Sequence, residues 1–325
     1  MVSLTFTEGT FLIMAEHLSQ SELDYPFKLL EYFNGFRISK AIFSACELGV
    51  FDLLLQSQKP MSAVEVAQKL GTSEDGVERL LDVLVAIEIV DVEVVQGTAF
   101  YSSTDVANQY LAKTSPKSLH DLIIYNSQTI YPLWNNLVDA VREGKNQNEK
   151  TFGLPSEEIF SAIYRSEEEM LKFMGLMNST WVIDGHDIVT AFDLSNFKTV
   201  IDLGGDCFAG CSGALARELA KEYPSSTVTV LDLPAVVQTA QRHFAQQDDT
   251  ICFQEGGGVL IAEALLFENR RGPTMVQMFS LNMLVQTEGK EHPPSHYTHL
   301  LTDAGFRDVQ VCRTGKSYDA ILALK

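Results

Sequence analysis

Asn282 and Gln286 stand four residues apart in the run RRGPTMVQMFSLNMLVQTEGKE, and residues at that spacing share one face of a helix. Two carboxamides on one face can hold an amide group by donating and accepting at once. The competing reading is a pair of polar residues on the wet side of an amphipathic helix. Upstream, the short apolar run TVIDL (199–203) ends in Gly204-Gly205, Gly213 follows, and a second run, TVTVLDL (227–233), carries Asp232 near its end. A glycine-rich turn after a first strand lets a ligand approach backbone N–H groups, and an acid closing the second strand accepts hydrogen bonds from ribose hydroxyls. A tight turn and a helix-start acid before Pro234 would look the same in isolation; the strand-turn-helix-strand setting favours the ligand. The turn is unusual, because residues 206–210 add about five positions, bulky Phe208 among them, to a loop that is ordinarily compact.

Metal chemistry is not expected. Cys207 and Cys211 lack a second pair, and Pro293-Pro294 interrupts the series His292, His296 and His299. The cysteines (Cys46, Cys207, Cys211, Cys252, Cys312) are scattered and odd in number, the pattern of reduced thiols in a cytosolic protein. With 24 basic and 43 acidic residues the formal charge is −19, so the surface repels phosphate backbones and a nucleic-acid partner is excluded as an expectation. No apolar stretch approaches the roughly 18 to 20 residues that a membrane helix needs, and no membrane partner is expected. Residues 1–22 read as an extension without a basic region or cleavage site, with Met14 as an alternative start.

The elements that must position these residues fall into two units. At 325 residues, with 46% hydrophobic and 21% charged positions, the chain is long enough for two ordinary cores. Over 24–55, Phe27, Leu30, Phe33, Phe36, Ile38, Ala41, Ile42 and Leu48 recur at three-to-four spacing and predict amphipathic helices. A helix over 62–70 opens with the capping box Ser62-x-x-Glu65; another spans 73–90; residues 91–101 alternate like strands around Gln96-Gly97. Helix, helix, helix, hairpin is a winged-helix pattern, yet the stretch 74–87 carries one arginine against several acids, so a DNA contact is not expected. More helices fill 104–192, with breaks at Ser115-Pro116 and Leu154-Pro155. From Lys198 the texture becomes βαβα: strand 199–203, helix 214–222, strand 227–233, helix 236–244, a doubly wound parallel arrangement. The pattern then fails. Residues 251–254 and 259–266 both read as strands but only Glu255-Gly256-Gly257-Gly258 separates them, while parallel neighbours need a crossover of about a dozen residues. Either the two form a hairpin or a strand and a helix are absent. Helices over 275–286 and 295–304 and strands over 307–314 and 318–324 close the chain.

The segments AIYRSEEEMLKFM (162–174), TAFDLSNFKTVIDLGG (190–205), LDLPAVV (231–237), RRGPTMVQMFSLNMLVQTEGKE (270–291) and the ending LLTDAGFRDVQVCRTGKSYDAILALK resemble the acetylserotonin O-methyltransferase family, over nearly the whole chain from about Leu23. The resemblance implies a mainly α N-terminal dimerisation domain with a winged-helix-like part (23–192). An α/β Rossmann-like domain for S-adenosylmethionine (SAM) follows (193–325), in a homodimer that methylates the 5-hydroxyl of N-acetylserotonin to melatonin. By position it implies Tyr164, Trp181, Gly204, Asp232 and Gly256 as cofactor contacts and Asn282 and Gln286 as contacts to the substrate amide. Glu263, ending VLIAE, and Glu291 correspond to the acids that flank the general base.

The departures are equally specific. In the family the third strand ends in Gly-Asp-Phe and a later strand leads into a His-Asp pair whose histidine takes the phenolic proton. Here Gly256 runs directly into Gly257-Gly258-Val259, so roughly forty family residues, a central strand and helix and the basic histidine are missing. His243 falls on the helix after Asp232 and does not match it. The expectation is a SAM-dependent O-methyltransferase by family, impaired in this chain. The alternative is a catalytically inactive isoform that dimerises with and modulates the full-length enzyme.

Overall fold

The computed structural model describes residues 25–153, 166–203, 212–231, 242 and 258–324. The chain opens with α1 (Phe27–Leu48), which ends where Gly49 turns left-handed at φ 78° and returns its N–H to the Ala45 and Cys46 carbonyls. Helix α2 (Val50–Ser57) and the short β1 (Met61–Ser62) follow. Ser62 then caps α3 (Ala63–Leu70) through both halves of the predicted box: Ser62 Oγ accepts from the Glu65 N–H at 3.3 Å and Glu65 Oε2 accepts from the Ser62 N–H at 2.8 Å. Ser73 caps α4 (Glu74–Ala86). Strands β2 (Val90–Val95) and β3 (Thr98–Ser103) form the hairpin predicted around Gln96-Gly97, with φ 51° and 84° at the two turn residues, as a two-residue turn of the twist-matching type requires. β1 pairs with the other edge of β3, Met61 opposite Tyr101. Phe51, Leu54, Val66, Leu81 and Leu84 fill the core beneath, and Tyr101 donates to Asp82 at 2.8 Å. Arg79, the basic residue of α4, is held by Asp75 one turn earlier at 2.9 Å.

Helix α5 (Asp105–Tyr110) leads to α6 (His120–Tyr125), which widens into a π turn over Asn126–Ile130 before α7 (Tyr131–Trp134). Short helices α8 (Leu137–Glu143) and α9 (Asn148–Phe152) come next, then the long α10 (Glu167–Val189), capped by Ser166. α10 passes so close to α6 that a Cβ on Gly175 would lie 2.9 Å from the Asp121 side chain.

Strand β4 (Thr199–Leu203) pairs in parallel with β5 (Thr227–Leu231) across the crossover α11 (Ala214–Glu222), as the βαβ reading predicts. Beyond them, β6 (Gly258–Glu263), α12 (Thr274–Gln286), α13 (Pro294–Asp303), β7 (Arg307–Cys312) and β8 (Asp319–Leu324) build a second, antiparallel sheet of order β6-β8-β7. β8, nearly all buried, is its centre. β6 stops three residues before the predicted end because the Leu265 and Leu266 carbonyls accept from Arg313 and the Leu266 N–H bonds the His292 carbonyl instead of a ladder partner. The predicted strand 251–254, the break at Leu154-Pro155 and the predicted helix 236–244, apart from its helical residue 242, lie outside the described residues.

One apolar cluster lies under both sheets. Phe173, Met174, Met177, Trp181 and Ile188 of α10 pack with Leu215 and Leu219 of α11, Val200 and Val228 of the parallel pair, and Leu260, Ala320 and Leu322 of the antiparallel sheet. Among the described residues no ladder joins β4 to β6, although the same helix backs both. The first half of α1 departs from its amphipathic reading: Phe27, Phe33 and Phe36 are 60%, 62% and 53% exposed, so its apolar residues do not face the core of their own chain. Among the described residues no helix is long and apolar enough to cross a membrane.

Candidate active site

Trp181 occupies the middle of α10 on the face that repeats as Met170, Phe173, Met174, Met177 and Ile188, and it is wholly buried. Its ring lies 5.2 Å from that of Tyr318, which in turn stacks on Phe279 of α12 at 6.1 Å. Carboxyl groups surround this column. Asp184 comes from the next turn of α10, Glu263 from the last position of β6, and Glu291 from the segment after α12. Burial raises the Asp184 carboxyl, against the pull of Lys316 and a hydrogen bond from the Ser317 hydroxyl. Burial raises Glu263 too, against a hydrogen bond from the Tyr297 hydroxyl. Glu291 is pushed up to about 7, first by burial and then by the neighbouring Glu263. Burial and these three acids push the Tyr318 hydroxyl upward, away from ionisation.

A carboxyl that titrates near neutrality can exchange a proton at physiological pH.

The second part of the site lies along α12. Asn282 Nδ2 donates to Gln286 Oε1 at 3.3 Å, so the two carboxamides do share a helix face. Neither faces open water. Trp134 Nε1 donates to Asn282 Oδ1 at 2.8 Å, and Gln286 Nε2 donates to the Tyr125 hydroxyl at 2.9 Å. Gln286 is only 7% exposed, which removes the reading of a solvent-facing amphipathic stripe. Ser280 Oγ accepts from the Glu291 N–H at 3.3 Å and so ties the acid cluster to the helix that carries the carboxamides.

Of the residues singled out in the sequence, Trp181, Glu263 and Glu291 come together around Tyr318, and Asn282 and Gln286 meet Trp134 and Tyr125. Tyr164, Gly204, Asp232 and Gly256 lie outside the described residues, as do Cys207, Cys211, Cys252 and His243. Tyr125, Trp134, Asp184 and Tyr318 were not foreseen. The available signal was weak: a Trp N–H or Tyr O–H that is buried must find a partner, but sequence does not say which. His292 and His296 stack ring on ring at 3.8 Å, and among the described residues no group of three metal-ligating side chains assembles. Cys46 is a buried thiol pushed up to about 12 by burial and nearby acids. A concavity of about 440 Å³ lies against Leu266, Gln277, Leu281, Leu284 and Glu288. That is the side of α12 away from Asn282 and Gln286.

A helical unit with a hairpin, joined through one long helix to a βαβ unit and an antiparallel sheet, with buried carboxyls and a pair of carboxamides beside it, is the architecture of an O-methyltransferase. The O-methyltransferase domain family matches in two pieces, residues 134–256 and 249–307, and the O-methyltransferase dimerisation domain family matches residues 30–113. Acetylserotonin O-methyltransferase of Gallus gallus is 47% identical, with 94% of this chain and 99% of that protein covered; the Homo sapiens enzyme of the same name is 43% identical over the same shares. The crystal structure of human N-acetylserotonin methyltransferase in complex with SAM superposes with a TM-score of 0.86 at 42% identity, covering 95% of this chain and 99% of that one. The chain belongs to the acetylserotonin O-methyltransferase family.

Proposed function

We propose that this protein binds SAM and transfers its methyl group to the 5-hydroxyl of N-acetylserotonin. The observation that carries the substrate is the buried Asn282–Gln286 pair, which offers an acyl-amide both a donor and an acceptor on one helix face. SAM supplies an electrophilic methyl on a sulfonium. In this reading Trp181, buried against Tyr318, and Tyr164, Gly204, Asp232 and Gly256 make the cofactor contacts. Holding the hydroxyl in line with the methyl supplies much of the rate; the carboxamides and Trp134 do the holding. Glu263 and Glu291 are the acids beside the position of the missing histidine, and loss of a general base costs on the order of 10² to 10⁴ in rate. Turnover in this chain is therefore slow.

The functional units divide as an extension over 1–22, a dimerisation unit over 23–192 and a SAM unit over 193–325. The exposed aromatic side of α1, inside the matched dimerisation region, supports a homodimer, and the scattered thiols support a cytosolic location. A specific observation favours a second reading, a non-catalytic isoform that pairs with full-length enzyme. The O-methyltransferase match breaks at 249–256, and alignment with the chicken enzyme runs over 349 residues although this chain has 325. That break coincides with the stretch where the sequence reading expects a strand and helix to be absent, which supports this reading.

A thermal melt of the purified chain with and without excess SAM, followed by a methylation assay on N-acetylserotonin, tests both. A cooperative transition that moves upward with SAM, and methylated product, establish the enzyme. A melt indifferent to SAM together with mixed dimers of lowered activity establishes the isoform.

A further inference from the structure

The turn before α9 places three consecutive carboxamides, Asn146, Gln147 and Asn148, at 5%, 2% and 6% exposure. Buried amides are costly unless their donors are used; the Gln147 side chain donates locally, to Glu143 and the Lys145 carbonyl, while the Gln147 N–H, Asn146 and Asn148 reach a distant target, the C-terminal end of α12 and the residues just beyond it. The Gln147 N–H reaches the Val285 carbonyl at 2.9 Å and Asn148 Nδ2 reaches the Gln286 carbonyl at 2.8 Å. These carbonyls are among the last four of the helix, which have no partner within it. Beyond the helix, Glu288 sits in the left-handed region at φ 65°, and Asn146 holds its Oε1 with both the backbone N–H at 3.0 Å and Nδ2 at 2.8 Å. Asn146 Oδ1 completes the set by accepting from the Asn148 N–H at 3.2 Å and from Asn148 Nδ2 at 3.0 Å.

The residue whose backbone Asn148 grips is the residue whose side chain pairs with Asn282. We propose that Asn146 and Asn148 are positioning residues that fix the end of α12 and thereby set how tightly the Asn282–Gln286 pair holds the acyl-amide of the substrate. This rests on the reading of that pair as the amide contact. Without Asn148 the Gln286 carbonyl turns to water, the last helical turn frays, and the Gln286 carboxamide loses its register against Asn282 and Tyr125. The indole end of the substrate and the cofactor, which do not depend on that turn, keep their contacts.

Titration calorimetry of the full chain, saturated with S-adenosylhomocysteine, gives the dissociation constants for N-acetylserotonin and for 5-hydroxytryptamine, which lacks the acyl group. For Asn148→Ala we expect N-acetylserotonin to weaken about tenfold, the scale of one lost hydrogen bond, while 5-hydroxytryptamine and S-adenosylhomocysteine stay within about twofold. Asn148→Asp, which keeps the shape but turns an oxygen toward the Gln286 carbonyl, gives the same selective loss and serves if the alanine variant does not fold. Equal weakening of both indoles, or none, overturns the positioning role. A parent chain that binds both indoles equally overturns the substrate reading itself and this inference with it.

Discussion

The unit from α1 to β3 and the unit from β4 to β8 were built from the same kinds of sequence signal, yet they differ in how far each signal reaches. In the first, a cap, a turn or a hairpin is closed by residues a few positions away: Ser62 with Glu65, Ser73 with Gly76, Gln96 with Gly97. In the second, β4 and β5 find each other through α11, but nothing among the described residues pairs the free side of β4, and the antiparallel sheet assembles separately around β8. Losing a strand and its helix from a locally closed unit would remove one element; from a parallel sheet it would remove a strand that joins two halves. The long α10 is what both halves still share.

That contrast is open to attack from either side, and the largest effect is expected at α10. Trp181→Ala removes the largest wholly buried side chain of the shared cluster, so it should cost about 3–5 kcal/mol in a denaturant titration and abolish the shift of the melt by SAM. If the SAM shift survives, the two halves do not depend on α10 in the way described. Leu84→Ala is the converse: buried in the first core, it should cost about 2–5 kcal/mol while leaving SAM affinity per folded molecule unchanged. Asn282→Ala touches neither core. It should weaken N-acetylserotonin about tenfold and leave cofactor binding as it was, read by calorimetry. Ser62→Ala opens the capping box of α3 at about 1 kcal/mol, measured as a small fall in denaturation midpoint with an unchanged slope.

A further way to test the buried cluster is its pH dependence. The Glu291 carboxyl is raised from its usual 4.5 to about 7 in the fold, so between those values the folded chain keeps a proton that the unfolded chain has lost. Stability from this group is therefore highest at low pH and is lost as pH rises through that window. Glu291→Gln cannot ionise, and its Tm should fall less than that of the parent between about pH 5 and pH 8. Parallel Tm curves for the two proteins would remove Glu291 from the buried cluster.

What could be read from the sequence follows the same division. The helix starts at Ser62 and Ser73, the Gln96-Gly97 turn, and the strands expected over 199–203 and 227–233, the second described over 227–231, all carry their reasons in neighbouring residues. The pairing of Asn282 with Gln286 was legible from helical spacing, because four residues bring two side chains to one face. Their further partners were not legible: Trp134 and Tyr125 approach from 148 and 161 positions away, and no local pattern encodes such a meeting. Nor was the exposure of Phe27, Phe33 and Phe36, since periodicity marks an apolar face without saying whether its cover lies in the same chain.

Gly175 ties the long α10 to α6 at close range. Where α10 crosses α6, a Cβ on residue 175 would stand only 2.9 Å from the Asp121 side chain, so the two helices fit like a cast and its mould. A hybrid protein that takes residues 25–153 from this chain and the rest from a distant relative inherits one surface of that fit without the other. Successful crossovers must carry Asp121 and Gly175 together, or exchange both for a pair that interlocks equally well.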